Sequence, residues 1–307
     1  MDLQNMVEEV WNSLADQRGA GKVADYIPAL AEVDPNCFGI ALATRDGRTY
    51  CAGDGEVPFS IQSISKVFVL AMALDRHGSA LFEAVGREPS GDPFNSIVQL
   101  EREKGIPRNP FINAGAIVTT DRLIDDRSTE EAVEELLAAL KKMARDDDIR
   151  IDKEVAQSES RTGARNRSLA YFMADFDRLL NPVETVLSVY FRQCALTMTC
   201  KQLAEAALFL AFDGTDPVTG HVLTSTQRAR RINALMLTCG HYDNSGEFAY
   251  EVGFCGKSGV GGGILAIVPD KASIAVWAPG LNREGTSLLG ARALREIAHR
   301  TGWSVFG

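Results

Sequence analysis

Strand-like apolar runs lie near both ends of this 307-residue chain, with a long helical stretch between them, and that arrangement limits how the chain can fold. Near the N-terminal end, Cys37 to Thr44 is an apolar run of strand length, and Asp46-Gly47 is a hairpin signal leading into Arg48 to Ala52. Near the C-terminal end, Gly263 to Val268 and Ser273 to Trp277 flank the turn Pro269-Asp270-Lys271. Leu3, Val7, Val10 and Leu14 recur at helical spacing until Tyr26-Ile27-Pro28 breaks the pattern, and a last helix is expected from Ser287 to Arg300. A strand leaves backbone groups unpaired unless it finds a neighbour, so the economical assembly is one antiparallel sheet drawn from both chain ends. The expected class is therefore α+β, in a single domain over 1–307. Residues 1–60 and about 236–307 would form the α/β part, and about 61–235 a mainly helical part.

Within that middle, Thr129 opens a helix whose acids, Glu130 and Glu131, precede Lys141-Lys142, as the helix dipole favours. Gln202 to Phe212 reads as another helix, stopped at Asp213-Gly214. Asp146-Asp147-Asp148 reads as a solvated turn, and Arg228 to Arg231 as a helix face. The net charge of -9 offers no clustered basic surface for nucleic acid or anionic lipid. The N-terminus has no basic and apolar leader pattern, and no apolar run is long enough to span a bilayer. Six scattered cysteines without C-x-x-C spacing read as reduced thiols, and four separated histidines form no metal-binding pair.

The chemistry is concentrated at Phe59-Ser60-Ile61-Gln62-Ser63-Ile64-Ser65-Lys66, followed by the apolar run Val67 to Leu74. A Ser and a Lys three residues apart on one helix face can place an amine beside a hydroxyl, and burial in the apolar run would lower the amine's pKa until it can act as a base. Phe59-Ser60 offers a cap for that helix. At average usage about one S-x-x-K arises by chance in a chain of this length, so context decides. It is supplied by Lys257-Ser258-Gly259-Val260-Gly261-Gly262-Gly263 ahead of the next strand pattern. The two motifs stand in the order found in class A β-lactamases and penicillin-binding proteins, and the glycines permit an amide to join that of Ser63 in an oxyanion hole. The S-D-N signature of those enzymes is missing. Asn113, Glu159, Asn166 and Tyr190 offer instead an acid for an ammonium, and amide and phenol donors for a carboxylate.

From about Tyr26 onward the chain resembles the bacterial glutaminases, which share the serine β-lactamase fold. The resemblance rests on Y-I-P-x-L-A at Tyr26, F-S-I-Q-S-I-S-K at Phe59, N-P-F-I-N-A-G-A-I at Asn109, S-E at Ser158 with R-N seven residues on, Y-F-x-Q-C at Tyr190 and K-S-G-V-G-G-G at Lys257. It implies hydrolysis of the side-chain amide of L-glutamine to L-glutamate and ammonia by a dimer or tetramer, with no cofactor expected, and the reduced thiols place the chain in the cytoplasm. It makes Ser63 the nucleophile and Lys66 its base, with Tyr26 and Tyr190 relaying protons. Gln62, Ser63, Asn113, Glu159, Asn166, Tyr190, Tyr242 and Val260 would bind the substrate, with the amides of Ser63 and Val260 as the oxyanion hole. Ala156 and Phe172 stand where the family pattern carries tyrosines. A penicillin-recognising hydrolase and a non-catalytic binding protein of the same fold are the competing readings.

Overall fold

Alternate residues of the central strands serve two different cores. In the computed structural model, which describes residues 1–91 and 95–307, the strands are β1 (Gly39–Thr44), β2 (Thr49–Gly53), β3 (Phe59–Ser60), β4 (Arg150–Ile151), β5 (Leu196–Met198), β6 (Cys255–Ser258), β7 (Gly263–Val268) and β8 (Ala272–Trp277). Five of them pair antiparallel in the order β2-β1-β8-β7-β6. The N-terminal hairpin thus pairs directly with the C-terminal strands, as the sequence pattern leads one to expect.

Ile40 and Leu42, Ile264 and Ala266, and Ile274 and Val276 face one side of this sheet. There they meet Met6, Val7 and Val10 of the first helix (Leu3–Leu14) and Leu289, Leu294 and Ile297 of the last (Leu288–Thr301). Their neighbours in sequence, Ala41, Ala43, Leu265, Ile267, Ala275 and Trp277, face the other side and join the core of the middle helices. The period of two along each strand therefore builds a helix, sheet, helix sandwich. Burial on both faces explains why β7 and β8 are apolar throughout.

The middle of the chain is helical, as expected, with two refinements. The helix expected from Gln202 to Phe212 is two, Cys200–Ala206 and Leu208–Ala211, and a capping box of Thr199 and Gln202 starts the first. The helix after Thr129 runs Thr129–Ala144 behind a capping box of Ser128 and Glu131. A second, three-stranded sheet, β3-β5-β4, lies among these helices. The sequence pattern does not announce it, because its strands are only two or three residues long. Its importance is positional: β3 leads into the S-x-x-K segment, and β5 follows directly on the Val183–Cys194 helix that carries Tyr190. Phe59 of β3 stacks on Trp277 of β8 at 4.9 Å between ring centroids, which ties the small sheet to the large one.

Candidate active site

Ser63 does not sit in the regular helix that its spacing from Lys66 suggests. Residues Gln62–Ile64 form a 3₁₀ turn, and the α-helix begins behind it at Ser65 and runs to His77. Gln62 has a φ of 49°, a left-handed conformation that a side chain disfavours, so the chain turns sharply just ahead of Ser63. Ser60 is not the helix cap that the sequence suggests, since it belongs to β3. Its hydroxyl donates to Cys194 O at 3.1 Å and accepts from Gln62 Nε2 at 3.0 Å. Ile61 N donates to Leu196 O at 2.9 Å, so the small sheet anchors the turn on both sides.

The glycine-rich run closes over this turn. A Cβ at Gly259 would lie 2.6 Å from Ile61 O, and one at Gly261 would lie 2.2 Å from Ser60 O. Only glycine lets the loop approach the backbone beside Ser63 so closely. Trp277 Nε1 donates to Gly261 O at 3.0 Å and holds the loop from the sheet side. Val260, between the two glycines, faces the same cavity as Ser63.

Lys66 is wholly buried on the Ser65–His77 helix, and its Nζ donates to Phe111 O at 3.1 Å and to Asn113 Oδ1 at 2.7 Å. The amine is therefore engaged by the N-P-F-I-N segment rather than by the Ser63 hydroxyl. Burial pulls its pKa down to about 8, against the opposing influence of the Cys194 and Glu159 side chains. Asn113 Nδ2 in turn donates to Asn166 Oδ1 at 2.9 Å, which orients both amides and leaves the Asn166 NH₂ group for a ligand. Asn109 acts as a local cap, its Oδ1 accepting from Phe111 N and Ile112 N.

Tyr26, Gln62, Ser63, Asn113, Glu159, Asn166, Tyr190, Tyr242 and Val260 all line one cavity of about 270 Å³, and Lys66 lies beneath it. These positions come from seven separate segments of the chain, with Glu159 and Asn166 counted as one. Glu159, on the Lys153–Thr162 helix, is 7% exposed and hydrogen-bonds to Gln62. Burial pushes its carboxyl up to about 7, against the favourable influence of Gln62 and the Lys66 amine. The cavity thus holds a costly acid to which, among the described residues, no cation is hydrogen-bonded, so a cationic group would be welcome beside it.

The three tyrosines differ in what they touch. The Tyr242 phenol shares a hydrogen bond with the Ser63 hydroxyl, and burial holds it well above its ordinary pKa, so it is a neutral donor. The Tyr190 phenol is hydrogen-bonded to Cys194, one helical turn along the same element. Tyr26 is 56% exposed and stands at the mouth. The resemblance names Tyr26 and Tyr190 as the proton relay, and the phenol that meets the Ser63 hydroxyl is that of Tyr242. Its side chain reaches Ser63 only because the chain turns back on itself after the Thr226–Cys239 helix.

Sequence reasoning left several wall residues unmarked: Ile27, Asn95, Thr162, Gly163, Arg165 and Cys194. Arg165 is a neighbour of Asn166 within the R-N pair, and Cys194 closes the Y-F-x-Q-C motif, so both carried a signal that was available. Of the two positions that depart from the tyrosine pattern, Ala156 packs against the small cluster of Ile27, Leu30 and Val155, and Phe172 packs against Phe176 with centroids 5.3 Å apart. Among the described residues no group of three or more His, Cys, Asp or Glu side chains is placed to hold a metal ion, and Asp148 serves as a partner of Arg150. Among those residues, too, no helix is long and apolar enough to cross a membrane.

The pattern of the glutaminase family matches residues 21–306. A glutaminase of Agrobacterium fabrum is 61% identical over 306 residues, covering 100% of this chain and 99% of its own. A thermolabile glutaminase of Rhizobium etli is 59% identical over the same length, again with 100% and 99% coverage. Among solved structures, Mglu in its glutamate form superposes with a TM-score of 0.92 at 36% identity, covering 98% of this chain and 69% of that one. A Bacillus subtilis relative complexed with 6-diazo-5-oxo-L-norleucine gives a TM-score of 0.90 at 34% identity, covering 100% and 98%.

Proposed function

The chain belongs to the glutaminase family, which hydrolyses L-glutamine to L-glutamate and ammonia, and from that premise we propose that Ser63 carries the reaction through a glutamyl ester. The observation that carries this reading is the hydrogen-bonding of Lys66. A neutral amine has two N–H donors and one lone pair, and its donors are committed to Phe111 O and Asn113 Oδ1. The lone pair is left to take the Ser63 proton. With a pKa of about 8 the amine is neutral in a useful fraction of molecules near neutral pH.

Attack by the Ser63 oxygen on the side-chain amide carbon of glutamine forms a tetrahedral oxyanion, for which the Ser63 and Val260 amides are the proposed donors. The Tyr242 phenol, already bonded to the serine, is a neutral acid at the place where the departing nitrogen must be protonated. Ammonia leaves, the phenol recovers its proton from the Lys66 ammonium, and water then cleaves the ester by the same route in reverse. Glu159 takes the substrate ammonium, while the amide of Asn166 and the wall formed by Gln62, Asn113 and Tyr190 receive the rest of the amino acid. We assign Tyr26 to the mouth rather than to the proton path, because of its exposure. From the family resemblance and the reduced thiols we also read the chain as a cytoplasmic homo-oligomer, a dimer or tetramer, built of one domain.

The decisive measurement is ammonia release from L-glutamine by wild type and Ser63→Ala. The substitution is expected to reduce kcat by at least about 10⁴-fold while glutamate still binds. Turnover by Ser63→Ala near the wild-type rate would sink the serine mechanism.

A further inference from the structure

Lys257 is the member of the K-S-G triplet that this mechanism leaves without a task. It has no solvent exposure and lies on β6, at one edge of the large sheet. Its Nζ donates to Ser258 O at 2.6 Å and to Gly240 O at 3.0 Å. The first bond is internal to the strand's end, and the second fastens the C-terminus of the Thr226–Cys239 helix to β6. Nζ also lies 4.3 Å from the centroid of the Tyr242 ring. Among the described residues no carboxylate forms an ion pair with it, so its electronegative surroundings are two carbonyls, the near π face of Tyr242 and, at 5.9 Å, that of Phe111.

The segment it fastens is the turn that delivers Tyr242. A Cβ at Gly240 would lie 1.8 Å from Gly256 O, so the turn is pressed against β6 as closely as backbones allow. His241 stacks on Phe248 at 3.7 Å between ring centroids, and among the described residues neither of its ring nitrogens has a hydrogen-bond partner. The ring is therefore held by packing alone. Tyr242 itself has a φ of 55°, a conformation that a non-glycine residue disfavours and that persists only where its surroundings impose it. An apolar residue in place of Lys257 would fill similar space without desolvating an amine. What the amine adds is a direct hold on the Gly240 carbonyl and on the Tyr242 ring.

We propose that Lys257 is a positioning residue for the reaction: its amine holds the Gly240 to Tyr242 turn, and the Tyr242 ring with it, so that the phenol stays on the Ser63 hydroxyl. This rests on the reading of Tyr242 as the proton donor to the leaving ammonia. Lys257 does not itself line the cavity, and the wall residue it meets is Tyr242, so its effect passes through Tyr242. A displacement of about 1 Å in a catalytic group can cost about 100-fold in rate without changing how substrate is held.

The test compares wild type, Lys257→Met, Tyr242→Phe and the double variant by steady-state kinetics on L-glutamine. Lys257→Met is expected to lose about 100-fold in kcat with KM within about 3-fold of wild type, and to cost less than about 3-fold further once Tyr242 is already phenylalanine. Equal losses in both backgrounds, or a raised KM with kcat retained, would overturn the proposal. Wild-type kcat in Tyr242→Phe alone would instead strike down the reading of Tyr242 as the acid. If Lys257→Met gives no cooperative melt, Lys257→Gln, which keeps a donor for one carbonyl, is measured in its place. A folded Lys257→Gln with wild-type kcat overturns the proposal, and so does a Lys257→Gln that does not fold, because the lysine then serves the fold rather than the phenol.

Discussion

Glu159 shows how one residue can be costly to the free protein and necessary to its chemistry. Its carboxyl is raised from an ordinary 4.5 to about 7, chiefly by burial. Between those values the folded protein holds a proton that the unfolded chain has released, so this group's contribution to stability is full below about 4.5 and is lost as pH rises through about 7. The whole effect is about 3 kcal/mol. Unliganded Glu159→Gln is therefore expected to melt higher than wild type above pH 7, with the gap closing toward pH 4.5, as thermal unfolding across pH will show. The same substitution should raise KM for glutamine by about 100-fold or more, since a buried acid that meets an ammonium contributes several kcal/mol on losing its charge partner. In wild type, kcat/KM should climb with pH through about 7 as Glu159 ionises and level off above about 8 as Lys66 loses its proton. A kcat/KM profile flat from pH 6 to 9 would contradict both assignments.

At the scale of elements, what the sequence motifs share is close backbone approach. The Asn113–Ile124 helix starts against the N-P-F-I-N turn, and a Cβ at Gly115 would lie 1.8 Å from Asn109 O. Alanine within a helix ordinarily gains about 1 kcal/mol over glycine. Here contact with a backbone oxygen that cannot step aside outweighs that gain. Gly115→Ala is expected to lose at least about 2 kcal/mol of stability and, by shifting Asn113 away from Lys66 and Asn166, to raise KM and lower kcat together. Denaturant unfolding and steady-state kinetics on the same preparation check both. The long helices and the main strands were legible because each carries its own repeating pattern, over six residues in Gly39–Thr44, Gly263–Val268 and Ala272–Trp277. The small sheet and the 3₁₀ turn at Gln62 were not, since two-residue strands and a single strained turn have no period and are imposed by their neighbours. Ser60 illustrates the difference: locally it reads as a helix cap, but pairing with Thr197 makes it a strand residue.

For the whole molecule, the sandwich joins the two halves of the chain through one shared core. Ala41, Leu265, Ile267 and Trp277 of the sheet pack in the same cluster as Val67, Phe68, Phe111 and Leu203 of the helical middle. The two parts should therefore unfold together. All three tryptophans, Trp11, Trp277 and Trp303, lie in the α/β part, whereas most of the helix lies in 61–235. Tryptophan fluorescence and far-UV circular dichroism are expected to trace coincident transitions in denaturant. A fluorescence transition displaced from the dichroism transition would instead mark the two parts as independent folding units.

Apart from the cavity-lining set, which only the family resemblance named, much of this protein can be derived from the linear chain: an antiparallel sheet drawn from both ends, a helical middle, and the S-x-x-K and K-S-G pair. These follow from local chemistry, because periodicity, turn residues and short motifs are each encoded within a few positions. The contacts within the site were decided only in three dimensions. That Lys66 is held by Phe111 O and Asn113, and that Tyr242 rather than Tyr190 meets Ser63, join residues from 45 to 179 positions apart, and that Lys257 lies under the Tyr242 ring joins two elements 15 positions apart. No spacing rule reaches that far. Side-chain hydrogen bonds depend on distances of a few tenths of an ångström, which are set by how the packed layers meet.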